Sequence, residues 1–358
     1  MTYEYAGNLH VHTRYSDGYG SHDDVALAGL QAGLDFVVTT DHNIWVEGID
    51  GYRYLGDRRL LLLTGEEIHD RSLHPQRNHL LVYEARRELS ALAHDTQAVL
   101  DAVRQAGGLA FLAHPFDPAA PRFHRPSLPW TEWDVTGYTG LELWNFMAEF
   151  KSRLPSLPVA IYYAYRPSDI GRGPSAEALA RWDQLLGAGK KVFAIGGADA
   201  HAFPAQLGPL KKTLFPSSFL FRAVNTHVLI EEPLTGQVEK DRRLIMQGLQ
   251  SGQAFVGFDL PCPTRGFRFT AGGDGQSTGM GGVIRSHFGV TLQAHLPQRA
   301  DIRLLRDGQI VRTWEDTQAM IYTTTEVGIY RVEASIFYRG RVRTWIVSNP
   351  IFIQPWRR

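Results

Sequence analysis

The chain has 358 residues, of which 44% are hydrophobic and 21% charged, as in an ordinary soluble globular protein. Its 37 basic residues balance its 37 acidic ones, so net charge gives no reason to expect a nucleic-acid or membrane partner. The single cysteine, Cys262, excludes an intramolecular disulfide and a cysteine-rich zinc module. No apolar run approaches the ~20 residues that span a bilayer, and the first residues do not resemble a signal peptide, so we expect a cytoplasmic protein.

Segments of strand length alternate with helical patterns through the first two-thirds of the chain. The predicted strands are 9–11, 35–40, 60–68, 79–83, 109–113, 140–144 and 191–195. Helices are predicted over 21–33, where Ser21 and Asp24 form a capping-box pattern, and over 96–106 and 176–186. This alternation, about seven β/α repeats, favours parallel strands in an α/β layer or barrel.

The pattern changes after about residue 202. Residues 204–221 are predicted to form a long loop, 226–230 a strand and 238–250 a helix. From about residue 266, short alternating runs separated by turn residues predict an antiparallel sandwich of about 85–95 residues.

Histidines and carboxylates collect where the predicted strands end. His10 and His12 are two residues apart, so an extended backbone directs both to one face, and Asp199 and His201 repeat that spacing. Further polar residues at strand ends are Asp17, Asp41, His42, Glu66, Glu67, His79 and His114. Since the carboxyl ends of parallel strands meet at one face, the whole set predicts a shared metal site, although any one histidine alone would be read as a surface or core residue.

These residues resemble the motifs of the PHP (polymerase and histidinol phosphatase) metallohydrolases. The motifs follow the family's order over roughly residues 7–201: Asn8-Leu-His-Val-His-Thr, Ser16-Asp-Gly, Thr40-Asp-His-Asn, Gly65-Glu-Glu, His79, Ala113-His-Pro and Gly197-Ala-Asp-Ala-His. Segments 249–256 and 345–351 resemble the CehA/McbA-like branch, which contains a carbaryl hydrolase and has a C-terminal β-sandwich. The resemblance implies a distorted seven-stranded (β/α)7 barrel in residues 1–260, with metal motifs in 8–201 and an extension in 202–260, and a small all-β sandwich in 261–358.

The resemblance also implies two or three divalent metal ions. The first position would be held by His10, His12, Glu67 and Asp199. The second would be held by Asp17, His42 and His201, with Asp17 standing where some relatives have histidine. At the third, Glu67 would bridge to His79 and His114, and Glu67 is preferred to Glu66 because the family pattern is glycine, any residue, glutamate. Mixed histidine and carboxylate ligands suit zinc, manganese or iron.

Other polar residues have weaker expected roles. Asp41 would orient His42 or another ligand histidine, although a cap on backbone groups explains it equally well, and Asn145 would line the pocket. Candidate anion-binding residues are Arg122, His124, Arg125 and Arg166, with Arg172, Lys211 and Lys212 as rivals, and each would more often be a solvated charge. His22, His69, His74 and His94 match no ligand position and are expected at the surface.

Three functions remain open. Three divalent ions, the carboxylates of Asp17, Glu67 and Asp199, and a metal-bridging hydroxide would leave about two positive charges, which suits hydrolysis of a small phosphate ester such as a sugar phosphate or nucleotide. A carboxylic- or carbamic-ester hydrolase on the same metals is the alternative, favoured if aromatic residues such as Phe123, Trp130 and Trp133 line the mouth. The third is a non-catalytic, metal-stabilised binding protein, which the intact ligand set disfavours. The expected partner is a small-molecule ester, with no membrane and no nucleic acid beyond a nucleotide, and the sequence indicates no oligomeric state.

Overall fold

The computed structural model of the chain describes residues 2–356 except 208 and 209. The side chains of 205–212 lie outside the described part, and with them Lys211 and Lys212. The strands before residue 260 are β1 (Tyr3–Asn8), β2 (Phe36–Thr39), β3 (Gly51–Leu55), β4 (Arg58–Ile68), β5 (Leu80–Tyr83), β6 (Leu109–Leu112), β7 (Gly140–Asn145), β8 (Phe193–Gly197), β9 (Pro204–Leu207), β10 (Leu210–Thr213), β11 (Val224–Ile230) and β12 (Ala254–Phe258). The helices are α1 (His22–Ala32), α2 (Thr96–Gln105), α3 (Phe146–Ser152), α4 (Leu157–Tyr165), α5 (Ala176–Gly187), α6 (Ser217–Leu220) and α7 (Val238–Gln250), with 3₁₀ turns at Ser90–Leu92, Pro121–Phe123 and Pro167–Asp169.

The first helix shows how closely local sequence determines an element. The Ser21 hydroxyl accepts a hydrogen bond from Asp24 N, and the Asp24 carboxylate accepts one from Ser21 N, which completes the predicted capping box. The helix ends at Gly33, whose φ of +83° is the left-handed conformation that glycine adopts without strain.

Seven strands follow one another in pairing order: β1, β2, β4, β5, β6, β7 and β8. The four outer pairings are parallel, but β5 is antiparallel to both β4 and β6. The expected uniform β/α repeat is therefore wrong at β5, because an antiparallel neighbour needs no crossover helix and residues 69–79 form an irregular loop.

The predicted closed seven-stranded barrel is not confirmed. Among the described residues β8 and β1 share no strand ladder, and the sheet is joined there by a single parallel bridge between Val11 and Ala200. This bridge lies just beyond both strands, since β1 ends at Asn8 rather than covering the predicted 9–11. The architecture shown is a mixed α/β fold with one large, open sheet.

The segment after β8 extends this sheet. β11 pairs antiparallel with β1 and with β12, and β12 continues to a C-terminal strand. The predicted loop over 204–221 instead contains the β9–β10 hairpin and α6.

The C-terminal part consists of β13 (Arg268–Gly273), β14 (Gln276–Gly279), β15 (Val283–Arg285), β16 (Val290–Arg306), β17 (Gln309–Thr324), β18 (Gly328–Tyr338), β19 (Arg341–Ser348) and β20 (Ile351–Gln354). It is all β as expected, but a separate sandwich is not confirmed, because the β12–β19 ladder makes these strands continuous with the N-terminal sheet. Phe255 of β12 packs into the core of the C-terminal strands beside Phe267 and Trp345. The boundary at residue 260 stays a prediction.

No helix in the described part of the chain has the length and apolarity needed to cross a bilayer. The longest, α7, has 13 residues.

Candidate metal centre

The predicted ligands come together at one end of the sheet. His10 and His12 follow β1, His42 follows β2, His114 follows β6, and Asp199 and His201 follow β8. Glu67 lies within β4, where a bridge aligns it with His42. His79 instead precedes β5, and because β5 runs against its neighbours, its first residue lies where the other strands end.

The carboxylate of Glu67 is the centre of the cluster and is fully buried. Its Oε2 lies 3.0 Å from His10 Nε2, 3.1 Å from His12 Nε2 and 3.2 Å from His42 Nδ1. Its Oε1 lies 2.8 Å from His79 Nδ1 and 3.0 Å from His114 Nε2. One carboxylate thus faces five histidines, three on one oxygen and two on the other.

Two aspartates complete the ring of predicted ligand atoms. Asp199 Oδ1 lies 3.2 Å from His12 Nε2, 3.5 Å from His10 Nε2 and 3.4 Å from His201 Nδ1. Asp17 Oδ1 lies 3.1 Å from His201 Nε2. The Asp17 side chain is 55% exposed, so the cluster opens to solvent beside it.

The possible ligand atoms form four groups within which all atoms lie within 4.8 Å of one another: His10, His12 and Asp199; His12, Asp17, His42 and His201; His10, Glu67 and His114; and His42, His69 and His79. The nine predicted ligands all belong to these groups. The grouping differs from the expectation in detail, since His12 also approaches the second position and His79 groups with His42 and His69.

The donor set fits divalent metal ions. His12 Nε2, His42 Nδ1, His79 Nε2 and His114 Nδ1 are buried and have no hydrogen-bond partner among the described residues. The first two lie within 3.2 Å of Glu67 Oε2 yet are not aligned to donate to it. Buried polar atoms are rarely left unpaired, and nitrogens and oxygens that crowd together without hydrogen bonding are what a shared cation requires.

The electrostatics around His12, His114 and Asp17 favour positive charge. Burial disfavours protonation of His12, but the adjacent carboxylates of Asp199 and Glu67 outweigh this and raise its pKa to about 9. Burial likewise opposes protonation of His114, and Glu67 raises its pKa to about 9. Although burial alone would raise the pKa of Asp17, His201 lowers it to about 2. A divalent cation would neutralise the same carboxylates that these protons neutralise in its absence.

Two of the predicted ligands have left-handed backbone conformations. φ is +26° at His114 and +55° at Asp199, values that residues other than glycine rarely adopt. Such strain persists only where the surrounding structure enforces it, and it is concentrated at functional sites.

Glu142, on β7, orients His10. Its Oε1 and Oε2 each lie 3.1 Å from His10 Nδ1, which directs His10 Nε2 toward Glu67. Asn145 Nδ2 donates to Glu142 Oε2 at 2.9 Å, so Asn145 supports the centre through Glu142. Gly197 makes this approach possible, because a Cβ there would lie 2.6 Å from Glu142 Oε1.

Glu142→Gln is expected to weaken metal binding about 10- to 100-fold, because the charged partner of His10 Nδ1 is replaced by a neutral amide. Titration of the metal-free protein with Zn²⁺ measures this. Glu149→Gln is the matched control, since Glu149 is a buried carboxylate bonded to Trp144 and Arg153 and to no ligand. Equal affinity in the two variants would contradict an orienting role for Glu142.

Asp41 does not orient His42. Its carboxylate accepts hydrogen bonds from Thr13 N, Thr13 Oγ1 and Ser16 Oγ, all at 2.7 Å. It braces the turn of Thr13 and Ser16, and Ser16 Oγ also lies 3.5 Å from His12 Nδ1, so Asp41 reaches a predicted ligand histidine through Ser16.

Two histidines that were expected at the surface, His22 and His69, are buried. The ring of His69 stacks on that of His79 with centroids 4.3 Å apart. The i, i+2 spacing from Glu67 could have identified it. Glu66 is also buried, on the other face of β4, where burial and then Glu88 raise its pKa to about 9.

The residues expected to bind an anion are all exposed: Arg122, His124, Arg125 and Arg166. None of their described side-chain contacts reaches a ligand residue. A different cation, Arg71, does reach the cluster, because its Nη2 donates to His42 O at 3.2 Å. Its position just after Glu67 and His69, beyond the end of β4, could have identified it from sequence.

A cavity of about 730 Å³ lies beside His114. Glu142 and Asn145 contribute to its wall, as do the apolar side chains of Phe116 and Trp130. The residues that were predicted to bind an anion or to line the mouth, but do not line this cavity in the described part of the chain, are Arg122, Phe123, His124, Arg125, Trp133 and Arg166. The cavity therefore offers a concave surface next to the predicted ligands.

Comparisons with known proteins give little beyond this geometry. No family model matches the sequence, and no curated protein matches it. One similar solved structure is a two-domain protein from Bacteroides vulgatus that contains a predicted PHP-like metal-dependent phosphoesterase, with 14% identity, a TM-score of 0.46, and coverage of 97% of this chain and 95% of that chain. Another, from Bifidobacterium adolescentis, is provisionally described as a metal-dependent phosphoesterase, with 18% identity, a TM-score of 0.34, and coverage of 56% and 90%. At these scores neither likeness carries a functional argument, and the function has to be inferred from the site.

Proposed function

We propose that this protein is a metal-dependent hydrolase of small esters and that a phosphate ester is its preferred substrate. The observation that supports this most directly is the Glu67 carboxylate, whose two oxygens face five histidine nitrogens within 3.2 Å. A buried carboxylate shared by so many imidazoles is suited to bridging neighbouring cations.

The centre would hold two or three ions of zinc, manganese or iron. One position would use His10, His12, Glu67 and Asp199; a second Asp17, His42 and His201; and a third Glu67, His79 and His114. The buried ring of His69 lies against His79 and would fix that ligand's plane. Ions bound there would supply positive charge and an activated water for hydrolysis.

The preference for phosphate rests on charge and access. Three divalent ions would carry more charge than the carboxylates of Asp17, Glu67 and Asp199 and a hydroxide together, so the open side of the cluster would be positive. The opening lies beside the half-exposed Asp17, and Arg71 is bonded to the backbone of His42 nearby. A phosphoryl group entering there would meet positive charge on both sides.

The cavity beside His114 favours the second candidate, a carboxylic- or carbamic-ester hydrolase. Phe116 and Trp130 are aromatic, and the acidic side chains in the lining outnumber the single arginine, Arg153. Asp117 is paired with Lys151, and Glu149 with Arg153. A group lodged in this cavity would be apolar and carry few negative charges, as the leaving group of an aryl ester does.

One assay separates these functions. The metal-loaded protein is expected to hydrolyse p-nitrophenyl phosphate faster than bis(p-nitrophenyl) phosphate, p-nitrophenyl acetate or an aryl carbamate. His12→Ala should reduce the rate with every substrate, while the matched change at the exposed His94 should not. Faster cleavage of the acetate or carbamate would replace the phosphoesterase assignment by the second candidate.

A non-catalytic binding protein predicts a different result. In that case the metal-loaded chain hydrolyses none of the four substrates, although metal content still falls in His12→Ala. Unchanged metal content in His12→Ala would overturn the ligand assignment itself.

A further inference from the structure

A buried chain of hydrogen bonds leads away from the predicted ligands into the segment after β8. It begins at Asn8, the fully buried last residue of β1. Asn8 Oδ1 accepts from Ala198 N at 3.2 Å and from His10 N at 3.5 Å. Asn8 Nδ2 donates to the backbone of β11 and to Asn225 Oδ1, each at 3.0 Å. The side-chain amide thus uses all its donors and acceptors and joins the loops after β1 and β8.

Asn225, on β11, continues the chain. Its Nδ2 donates to Phe221 O and to Asp259 Oδ2, both at 2.9 Å. The same Asp259 oxygen lies 3.2 Å from His227 Nε2, and His227 Nδ1 lies 2.9 Å from Glu4 Oε1. Each link is buried or half-buried, and each is made by a side chain.

The far end of the chain is ionic. Burial disfavours the charged imidazole of His227, but the Asp259 carboxylate outweighs it and raises the pKa to about 9. The pKa of Asp259 is about 2, because His227 overcomes the effect of burial. Glu4 also pairs with Arg268 of β13. Charge-assisted bonds of this kind hold Asp259, and through it Asn225, in one orientation.

Most buried polar groups are hydrogen-bonded, because leaving one unpaired costs free energy. Pairing alone therefore does not indicate a role in the metal centre. What distinguishes this chain is where it begins. Its first acceptor, Asn8 Oδ1, accepts hydrogen bonds from the backbone of His10 and of Ala198, the residue before Asp199. A shift of Asn8 would therefore move ligands on two separate loops.

We propose that Asn225 is a positioning residue of the metal centre, holding Asn8 so that the loops of His10 and Asp199 present their ligand atoms together. The segment after β8 would then be part of the working centre and not merely an extension of the fold. This inference rests on the proposed function only in requiring that the cluster binds metal.

Asn225→Ala is expected to weaken Co²⁺ binding by about 10- to 100-fold and to change the visible absorption of the bound ion. Asn349→Ala is the matched control. Asn349 is equally buried and bonds β8 to β12 through Ala194 and Ala254, at the end of β8 remote from the ligands. It should lower stability without changing Co²⁺ affinity or the spectrum.

Asn8→Ala should weaken binding comparably, and the double variant with Asn225→Ala should be no worse than Asn8→Ala alone, since both act through one link. If Asn225→Ala does not fold, the isosteric Asp259→Asn tests the next link and should also weaken Co²⁺ binding. Wild-type affinity and spectrum in Asn225→Ala, or in Asp259→Asn where that variant is used, would overturn the proposal while leaving the metal centre intact. Failure of the wild-type protein to bind Co²⁺ would overturn both.

Discussion

Glu67→Gln is expected to lower kcat/KM for ester hydrolysis by at least about a thousandfold, which corresponds to ~4 kcal/mol of transition-state stabilisation. Glutamine has nearly the same shape but offers one neutral oxygen and one NH2 group where two charged oxygens now face five histidines. The amide nitrogen cannot bind a cation beside the histidine nitrogens on its side, so the side chain could no longer bridge two ions. Steady-state kinetics with p-nitrophenyl phosphate and metal analysis of the same sample measure both effects.

Glu66→Gln is the matched control for this change. Glu66 is the preceding residue on β4 and is equally buried, but its pKa of about 9 keeps it protonated at neutral pH. Replacing a neutral acid by a neutral amide on the opposite face of the strand should leave kcat/KM and metal content close to wild type. Similar losses of kcat/KM and metal content in both variants would mean that β4 tolerates no substitution here. They would contradict a specific role for Glu67.

Removing the metal ions is expected to abolish hydrolysis and to lower stability by at least ~4 kcal/mol, the value for a single ion present at about a thousand times its dissociation constant. For a chain of this size that loss alone should lower the unfolding midpoint by about 5 °C. Differential scanning calorimetry with and without a chelator tests this. The chelator should shift His12→Ala less, because that variant has less metal to lose.

The stabilisation by metal should also depend on pH. The pKa values of His12 and His114 are about 9 in the folded protein and near 6.5 when unfolded, so their protonation stabilises the metal-free fold below pH 6.5. This contribution is lost as the pH rises through 9, where the neutral imidazoles are free to bind metal. The chelator should therefore lower the midpoint more at pH 9 than at pH 6, and the opposite order would contradict the assignment of these histidines.

The convergence of the predicted ligands could be foreseen where it depends on local geometry. His10 and His12 share a face through their i, i+2 spacing, and so do Asp199 and His201, while the ends of parallel strands explain why His42 and His114 meet them. The capping box of α1 was equally local, and the structure confirms it.

What sequence did not reveal depends on long-range packing. The antiparallel setting of β5 places His79 at the start of its strand, and no local pattern distinguishes that from a parallel strand. Glu142 meets His10 across 132 residues, whereas Asp41, adjacent in sequence to His42, bonds the turn of Thr13 and Ser16. The same limit applies to Asn225, whose partner Asn8 lies 217 residues earlier in the chain.

The misplaced arginines have a related cause. A proline-rich loop with Arg122 and Arg125 follows a ligand directly in sequence, but proximity along the chain does not fold a loop back over the site. Arg71 contacts the cluster because it lies only four residues after Glu67, just beyond the end of β4. So short a stretch of backbone cannot carry it far from the predicted ligands.

The most direct test of the central claim is the metal content of the purified chain after reconstitution, measured by elemental analysis beside Glu67→Gln and Glu66→Gln. A centre bridged by Glu67 predicts two to three equivalents of divalent metal in the wild-type protein and in Glu66→Gln, and a loss of at least one equivalent in Glu67→Gln. Less than one equivalent in the wild-type protein, or full occupancy in Glu67→Gln, would contradict it.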